Sequence, residues 1–190
     1  MKHVGLLVLG SLINSLGTGL SAFGLAVVIL RTYGTASSVA AVQMSAFAPI
    51  VLLAPLAGVL ADRYDRRLMM MIGDAGSILG LGVILAALSS PQPSLGWICA
   101  GAVISSCLAA LTEPALRASV TDLVTEEDYV RSSGLLQLAS AAKYLLAPAV
   151  AGFLMPLVGP RGLLLLDAST CLVTVACTLT VRRALAAVSS

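Results

Sequence analysis

Gly58-Val59-Leu60-Ala61-Asp62-Arg63-Tyr64-Asp65-Arg66-Arg67 is the stretch on which the fold turns. Ahead of it no charge occurs between Arg31 and Asp62, and behind it residues 68–89 carry a single charge, Asp74. Five charges in six residues (62–67) therefore separate two apolar runs, each long enough for the roughly 20 residues that a bilayer crossing needs. Such a knot of charge reads as a loop at the membrane surface, with the arginines as anchors. Gly58 and Ala61 offer a small surface at the end of the preceding helix, where another backbone can approach closely. Asp62 is placed to pair with an arginine or to cap a neighbouring helix N-terminus. A plain arginine anchor explains Arg63, Arg66 and Arg67, but gives no reason for a glycine four residues ahead of the aspartate.

The rest of the chain repeats the pattern. Of 190 residues, 58% are hydrophobic and only 11% charged, and the mean hydropathy is +1.01. A soluble domain carries roughly a quarter charged residues to wet its surface, so a globular soluble enzyme is excluded. Charge-free runs and turn clusters predict one all-α bundle over residues 1–190, with six membrane spans at about 4–30, 36–61, 68–89, 95–112, 131–157 and 163–181. Ser89-Ser90-Pro91-Gln92-Pro93-Ser94 ends the third span, and Gly159-Pro160-Arg161-Gly162 is a tight turn before the sixth. Thr125 is the expected N-cap of the fifth helix, with Glu126, Glu127 and Asp128 in the first turn, where negative charge is favourable.

The basic residues set the orientation. With the N-terminus inside, one face holds Lys2, Arg63, Arg66, Arg67, Arg117, Arg131, Arg182 and Arg183, and the other holds Arg31 and Arg161. This asymmetry predicts a multi-pass protein of the cell (inner) membrane with both termini cytoplasmic. The scattered Lys and Arg and a net charge of +2 make no nucleic-acid footprint. Cys99, Cys107, Cys171 and Cys177 all lie in apolar stretches without metal-ligand spacing, and the single histidine is His3. No metal site, cofactor, nucleotide-binding loop or nucleophile–base pair is expected, so the chain reads as a non-enzyme.

The 58–67 stretch resembles the G-x-L-A-D-R-x-G-R-R/K signature of the major facilitator superfamily, between its second and third helices. It departs once, with Asp65 at the glycine position, and the D-R-[FY]-D-R-R form resembles the branch containing macrolide and enterobactin exporters. Ser15-Leu16-Gly17, Pro114-Ala115 before Asp122-Leu123-Val124, and Leu166-Asp167-Ala168-Ser169 agree with it. The resemblance implies the N-terminal six helices of that fold, as two inverted three-helix repeats. It assigns Gly58, Asp62, Arg63, Arg66 and Arg67 to the gating loop. Ala147-Pro148-Ala149-Val150-Ala151-Gly152 is similar to the family's antiporter motif G-P-x-x-G-G, keeping Pro148 and Gly152. A fourth-helix arginine, which many drug antiporters of the family use for proton coupling, has no counterpart between Leu95 and Leu111.

Three charges fall within predicted spans, where each costs free energy and is a functional candidate by default. Lys143 is 12 residues beyond Arg131, roughly 18 Å along a helix and near the bilayer centre. Asp74 and Asp167 lie seven and six residues beyond Arg67 and Arg161, roughly 10 Å from opposite faces. Together with the uncharged Asn14 and Gln43 they are the candidates for a substrate or ion path, or for polar contacts between helices. The expected function is alternating-access efflux of a small amphiphilic compound, drug-like or siderophore-like, coupled to protons. One six-helix bundle supplies one wall of such a path, so a second bundle is the expected partner besides lipid: a homodimer mate or a C-terminal half. The alternative is a non-transporting or truncated subunit that associates with a full-length transporter.

Overall fold

The structure, a computed structural model, describes the backbone of residues 2–123 and 126–189 and the side chains of residues 5–121, 130 and 132–182. The described residues form helices and short connections, with no strand among them. The elements are α1 (Lys2–Tyr33), α2 (Ala36–Arg63), α3 (Arg66–Ser89), α4 (Leu95–Ala109), α5 (Thr112–Leu123) and α6 (Glu126–Ser189). Five helical stretches are long and apolar enough to cross a membrane: Gly5–Tyr33, Ala36–Arg63, Arg66–Ser89, Leu95–Thr121 and Ser132–Arg182.

The last of these runs 51 residues. As one straight helix that is roughly 77 Å at 1.5 Å per residue, more than twice a bilayer core. It is broken at Gly159, whose φ of 67° and ψ of 176° lie outside helical space. A left-handed φ is cheap only for glycine. The predicted four-residue turn at 159–162 is thus condensed into this one residue, and Pro160 starts the next helix with its φ already set. The two arms run in opposite directions along α1. Before the break, Leu136 shares a buried cluster with Leu7, and Ala147 and Ala151 share one with Leu20. After the break, Leu163 faces Gly24, Thr170 faces Gly17, and Thr174 and Cys177 face Gly10.

The helix ends follow from local chemistry. Gly34, with φ 69°, closes α1 through its N–H to the Leu30 carbonyl at 2.9 Å. Thr35 then caps α2 by accepting from the Ser38 N–H at 3.4 Å, and Asp65 caps α3 by accepting from the Arg67 N–H at 3.0 Å. Two boundaries differ from the sequence reading. The fourth span's helix stops at Ala109 rather than 112, and the stretch from 113, expected as a loop, opens with the helix α5. Its first turn carries Glu113 and Pro114, both favourable there, and Glu113 pairs with Arg117 one turn on at 2.7 Å. Thr125 lies outside the described residues, and α6 begins at Glu126.

The interior is built by glycine-lined seams. Along α1, Gly10, Gly17 and Gly24 recur every seven residues and meet the later arm of α6 in antiparallel register. Along α3, Gly73, Gly76 and Gly80 meet Thr112, Leu108 and Ser105, while Gly101 of α4 meets Ile84, again antiparallel. Lipid tails are as apolar as leucine, so helices in a membrane associate through close packing, and small residues make the closest packing possible.

Candidate functional site

Two carboxylates lie inside the bundle, one on α3 and one on the later arm of α6. Asp74 is 2% exposed and Asp167 3%. Asp74 Oδ1 accepts from Thr112 Oγ1 at 3.1 Å and from Asn14 Nδ2 at 3.5 Å, while its Oδ2 is buried without a partner among the described residues. Asp167 accepts from Thr18 Oγ1 at 3.4 Å and from the Ser21 hydroxyl. Asn14 Oδ1 in turn accepts from the Cys171 thiol at 3.4 Å. Asn14, Thr18 and Ser21 stand at i, i+4 and i+7, so one face of α1 supplies hydrogen-bonding groups to both acids. In a low-dielectric interior such groups are what makes a buried carboxylate tolerable.

A different face of α1 forms a wall of a partly open cavity of about 200 Å³. Gly19, Ala22, Phe23 and Ala26 of α1 line it, opposite Lys143, Tyr144 and Pro148 of α6, with Gln43 of α2 at its edge. At 100° per residue this face is centred roughly 120° around α1 from the polar one. Lys143 is half-buried and lies over the Tyr144 ring at 5.7 Å from its centroid, a distance at which a ring face attracts a cation. Among the described residues Lys143 has no ion pair. The backbone comes close here because residue 19 has no side chain. A Cβ at Gly19 would stand 2.6 Å from the Lys143 carbonyl oxygen and against the Ala147 methyl. Ala147, where the antiporter motif has glycine, is fully buried in this contact, so the glycine that permits it lies on α1. Pro148 lines the cavity, whereas Gly152 faces open space.

The 58–67 loop gathers the ends of four helices. Arg66 donates from Nε to the Ala61 carbonyl at 3.2 Å and from Nη1 to the Ala118 carbonyl at 2.9 Å, joining the end of α2 to α5. Asp65, besides capping α3, pairs with Arg182 near the end of α6 at 3.2 Å. Ala61 is buried in one cluster with Leu7, Met69, Met70 and Ala115. Gly58 faces open space, Asp62 and Arg63 are exposed, and neither side chain has a hydrogen bond or ion pair among the described residues. Arg67 is partly buried with its Nε unpartnered.

The structure thus divides the residues picked from the sequence into three groups. Lys143, Gln43 and Pro148 meet at the cavity; Asp74, Asp167 and Asn14 meet in the polar network; Arg66 and Arg67 lie at the loop. The sequence reading missed Thr18, Ser21 and Thr112, which hold the acids, and Asp65, which ties the loop to α6. A signal was present for the first two in the 14/18/21 polar stripe. A second lay in the near-repetition of Asp74-Ala75-Gly76-Ser77 as Asp167-Ala168-Ser169-Thr170, 93 residues apart.

The chain is similar in sequence to known proteins. The sequence profile described as Major Facilitator Superfamily matches residues 7–189. Macrolide efflux protein A of Streptococcus pyogenes is 31% identical over 122 residues, covering 64% of this chain and 30% of that protein. Its namesake in Enterococcus faecalis is 32% identical over 117 residues, covering 61% and 36%. An uncharacterized MFS-type transporter of Mycobacterium tuberculosis is 31% identical over 147 residues, covering 71% and 32%. The chain spans about a third of the length of the curated relatives it matches. With a multi-helix apolar bundle, a charged loop between its second and third helices and a profile match over nearly its whole length, this chain belongs to the Major Facilitator Superfamily.

Proposed function

We propose that the chain is one half of an efflux transporter that moves a small amphiphilic compound by alternating access, driven by the proton gradient. The observation that carries this reading is the cavity wall: a cation and an amide on two helices, set among apolar side chains, in a chain of a transporter family. The efflux proteins among its relatives favour export over uptake. For coupling, Asp74 is the best-placed group. Its Oδ2 is the only buried carboxylate oxygen without a partner among the described residues.

In this reading the chain crosses the inner membrane six times, with both termini in the cytoplasm, and Gly159 marks the outer turn between the last two crossings. Two features favour an inverted repeat of three helices. An aspartate on α3 bonds a threonine at the α4–α5 junction, and an aspartate on the later arm of α6 bonds a threonine on α1. Each pair bridges an antiparallel, glycine-lined seam. The second bundle docks against α2. Only 11% of its span is buried, against 28–44% in the other stretches, and Phe47, Val51, Leu52 and Leu56 are exposed on it. That bundle is a second copy or a C-terminal half.

A flux assay in proteoliposomes under an imposed pH gradient tests the proposal. Extrusion of an amphiphilic dye is expected, reduced at least tenfold by Lys143→Ala, and lost under the gradient in Asp74→Asn while dye exchange persists. Absence of flux under every gradient, with the bundle shown to be folded and paired with a second six-helix bundle, refutes it.

A further inference from the structure

The countercharge for Lys143 is the open question of the cavity. An ammonium group within a membrane bundle is expensive unless something answers it. Asp167 is close enough for the two charges to interact. Its oxygens, however, are engaged by Thr18 and Ser21 on the polar face of α1, and it does not line the cavity. Asp74 is bonded to Thr112 and Asn14 in the same network. Among the described residues no acidic side chain lines the cavity. What lines it instead is a second group able to donate, the Gln43 amide from α2, together with Phe23, Tyr144 and Pro148. The Lys143 ammonium and the Gln43 amide, from two helices, thus border one space of about 200 Å³ with aromatic and aliphatic flanks. That volume suits a head group with a ring, and falls below the 300 Å³ or more of a complete drug-sized site.

We propose that this cavity recognises an anionic amphiphile, an organic carboxylate or sulfonate whose charged head lies between Lys143 and Gln43 and whose apolar body rests on Phe23 and Tyr144. The proposal rests on the reading of this wall as the substrate path, and adds the sign of the substrate's charge. Lys143 supplies the charge-assisted bond, Gln43 a neutral one, and Gly19 keeps the floor of the site shallow enough for a ring to reach both.

The test is equilibrium binding, which needs no transport. Radiolabelled 2-naphthoate and the matched cation 2-naphthylmethylammonium are titrated against the full chain in nanodiscs of zwitterionic lipid, with empty nanodiscs as the blank. Saturable naphthoate binding is expected, weakened about tenfold by Lys143→Gln, kept within about threefold by Lys143→Arg, and weakened two- to fivefold by Gln43→Leu. The ammonium compound should not compete. Variants are compared at equal helicity and equal elution volume, and the arginine variant guards against loss of binding through misfolding. Lack of saturable naphthoate binding, indifference to Lys143→Gln, or preferential binding of the ammonium compound each overturns the proposal. Naphthoate binding without flux would refute the transport reading and leave the anion site standing. Flux of a dye with no naphthoate binding would do the reverse.

Discussion

Replacing Gly19 by alanine tests whether the α1–α6 contact is as close as the structure has it. The added methyl would lie 2.6 Å from the Lys143 carbonyl oxygen and 3.2 Å from the Lys143 Cα, besides meeting the Ala147 methyl. Carbon–oxygen and carbon–carbon contacts relax to roughly 3.4–4.0 Å, so the two backbones must part by about 1 Å. Two of the three obstacles are main-chain atoms of a helix, which cannot swing aside as a side chain can. Separation also loosens the cluster in which Leu20, Ala147, Ala151 and Leu163 are buried. Overpacking of this kind costs about 1–3 kcal/mol, partly offset by the roughly 0.8–1 kcal/mol by which alanine outdoes glycine in a helix. A net loss of up to about 2 kcal/mol is expected. Gly152→Ala is the matched control. Its Cβ would enter open space, so the same propensity gain comes without the clash and stability should hold or rise. The assay is reversible unfolding of the purified protein in mixed micelles, followed by tryptophan emission from Trp97. Gly19→Ala at or above wild-type stability, or Gly152→Ala falling as far as Gly19→Ala, would refute the packing argument.

Asp65→Ala should cost about 1 kcal/mol through loss of the α3 cap, while Arg182→Ala should cost under about 0.5 kcal/mol, because an ion pair this exposed contributes little. A double-mutant cycle of the two by micelle unfolding should give a coupling below about 1 kcal/mol. Asp167→Asn keeps an oxygen for Thr18 or Ser21 and should cost under about 1.5 kcal/mol; Asp167→Leu strands the Thr18 hydroxyl, while Ser21 keeps the Thr18 carbonyl as acceptor, and should cost about 1–3 kcal/mol, read from the same curves. Gly159→Ala places a side chain at φ 67° and should destabilise by about 1–2 kcal/mol. Gly134→Ala, in an open helical position, should be neutral or stabilising.

The helices were legible because apolar length and charge placement decide them, and these are properties of single segments. The 58–67 loop was legible for the same reason, as a local knot of charge. Lys143 could be singled out by its distance from the nearest surface arginine, a one-dimensional measure that survives folding. The partners of the acids could not. Asp74 and Asp167 looked alike in depth and chemistry, and which hydroxyls hold them depends on the register between helices 38 to 149 residues apart in the chain. The loop shows the opposite failure. Asp62 stood out by its motif position, yet it is exposed, and the ion pair across to α6 belongs to Asp65, the residue that departs from the motif. Pattern matching ranks positions by resemblance, while the chain end that reaches them is fixed by the bundle. The α4–α5 boundary was missed because its turn, Ala110-Leu111, contains neither glycine nor proline.

The seven-residue spacing of Gly10, Gly17 and Gly24 makes the α1 seam behave as a ratchet with three notches. Suppose α1 slips lengthwise by one turn. The polar stripe would lose little, since Thr18 and Ser21 would arrive where Asn14 and Thr18 had been. The notches would not forgive it. Ile13 or Asn14, Leu20 or Ser21, and Val27 or Val28 would come to the places that only a hydrogen atom fills. The next register that fits is two turns away, roughly 10 Å. Hydrogen bonds thus leave α1 indifferent to small axial shifts, and sterics alone hold its place. A motion of this helix within the bundle is therefore a tilt or a rotation carried with its neighbour, never a slide along it.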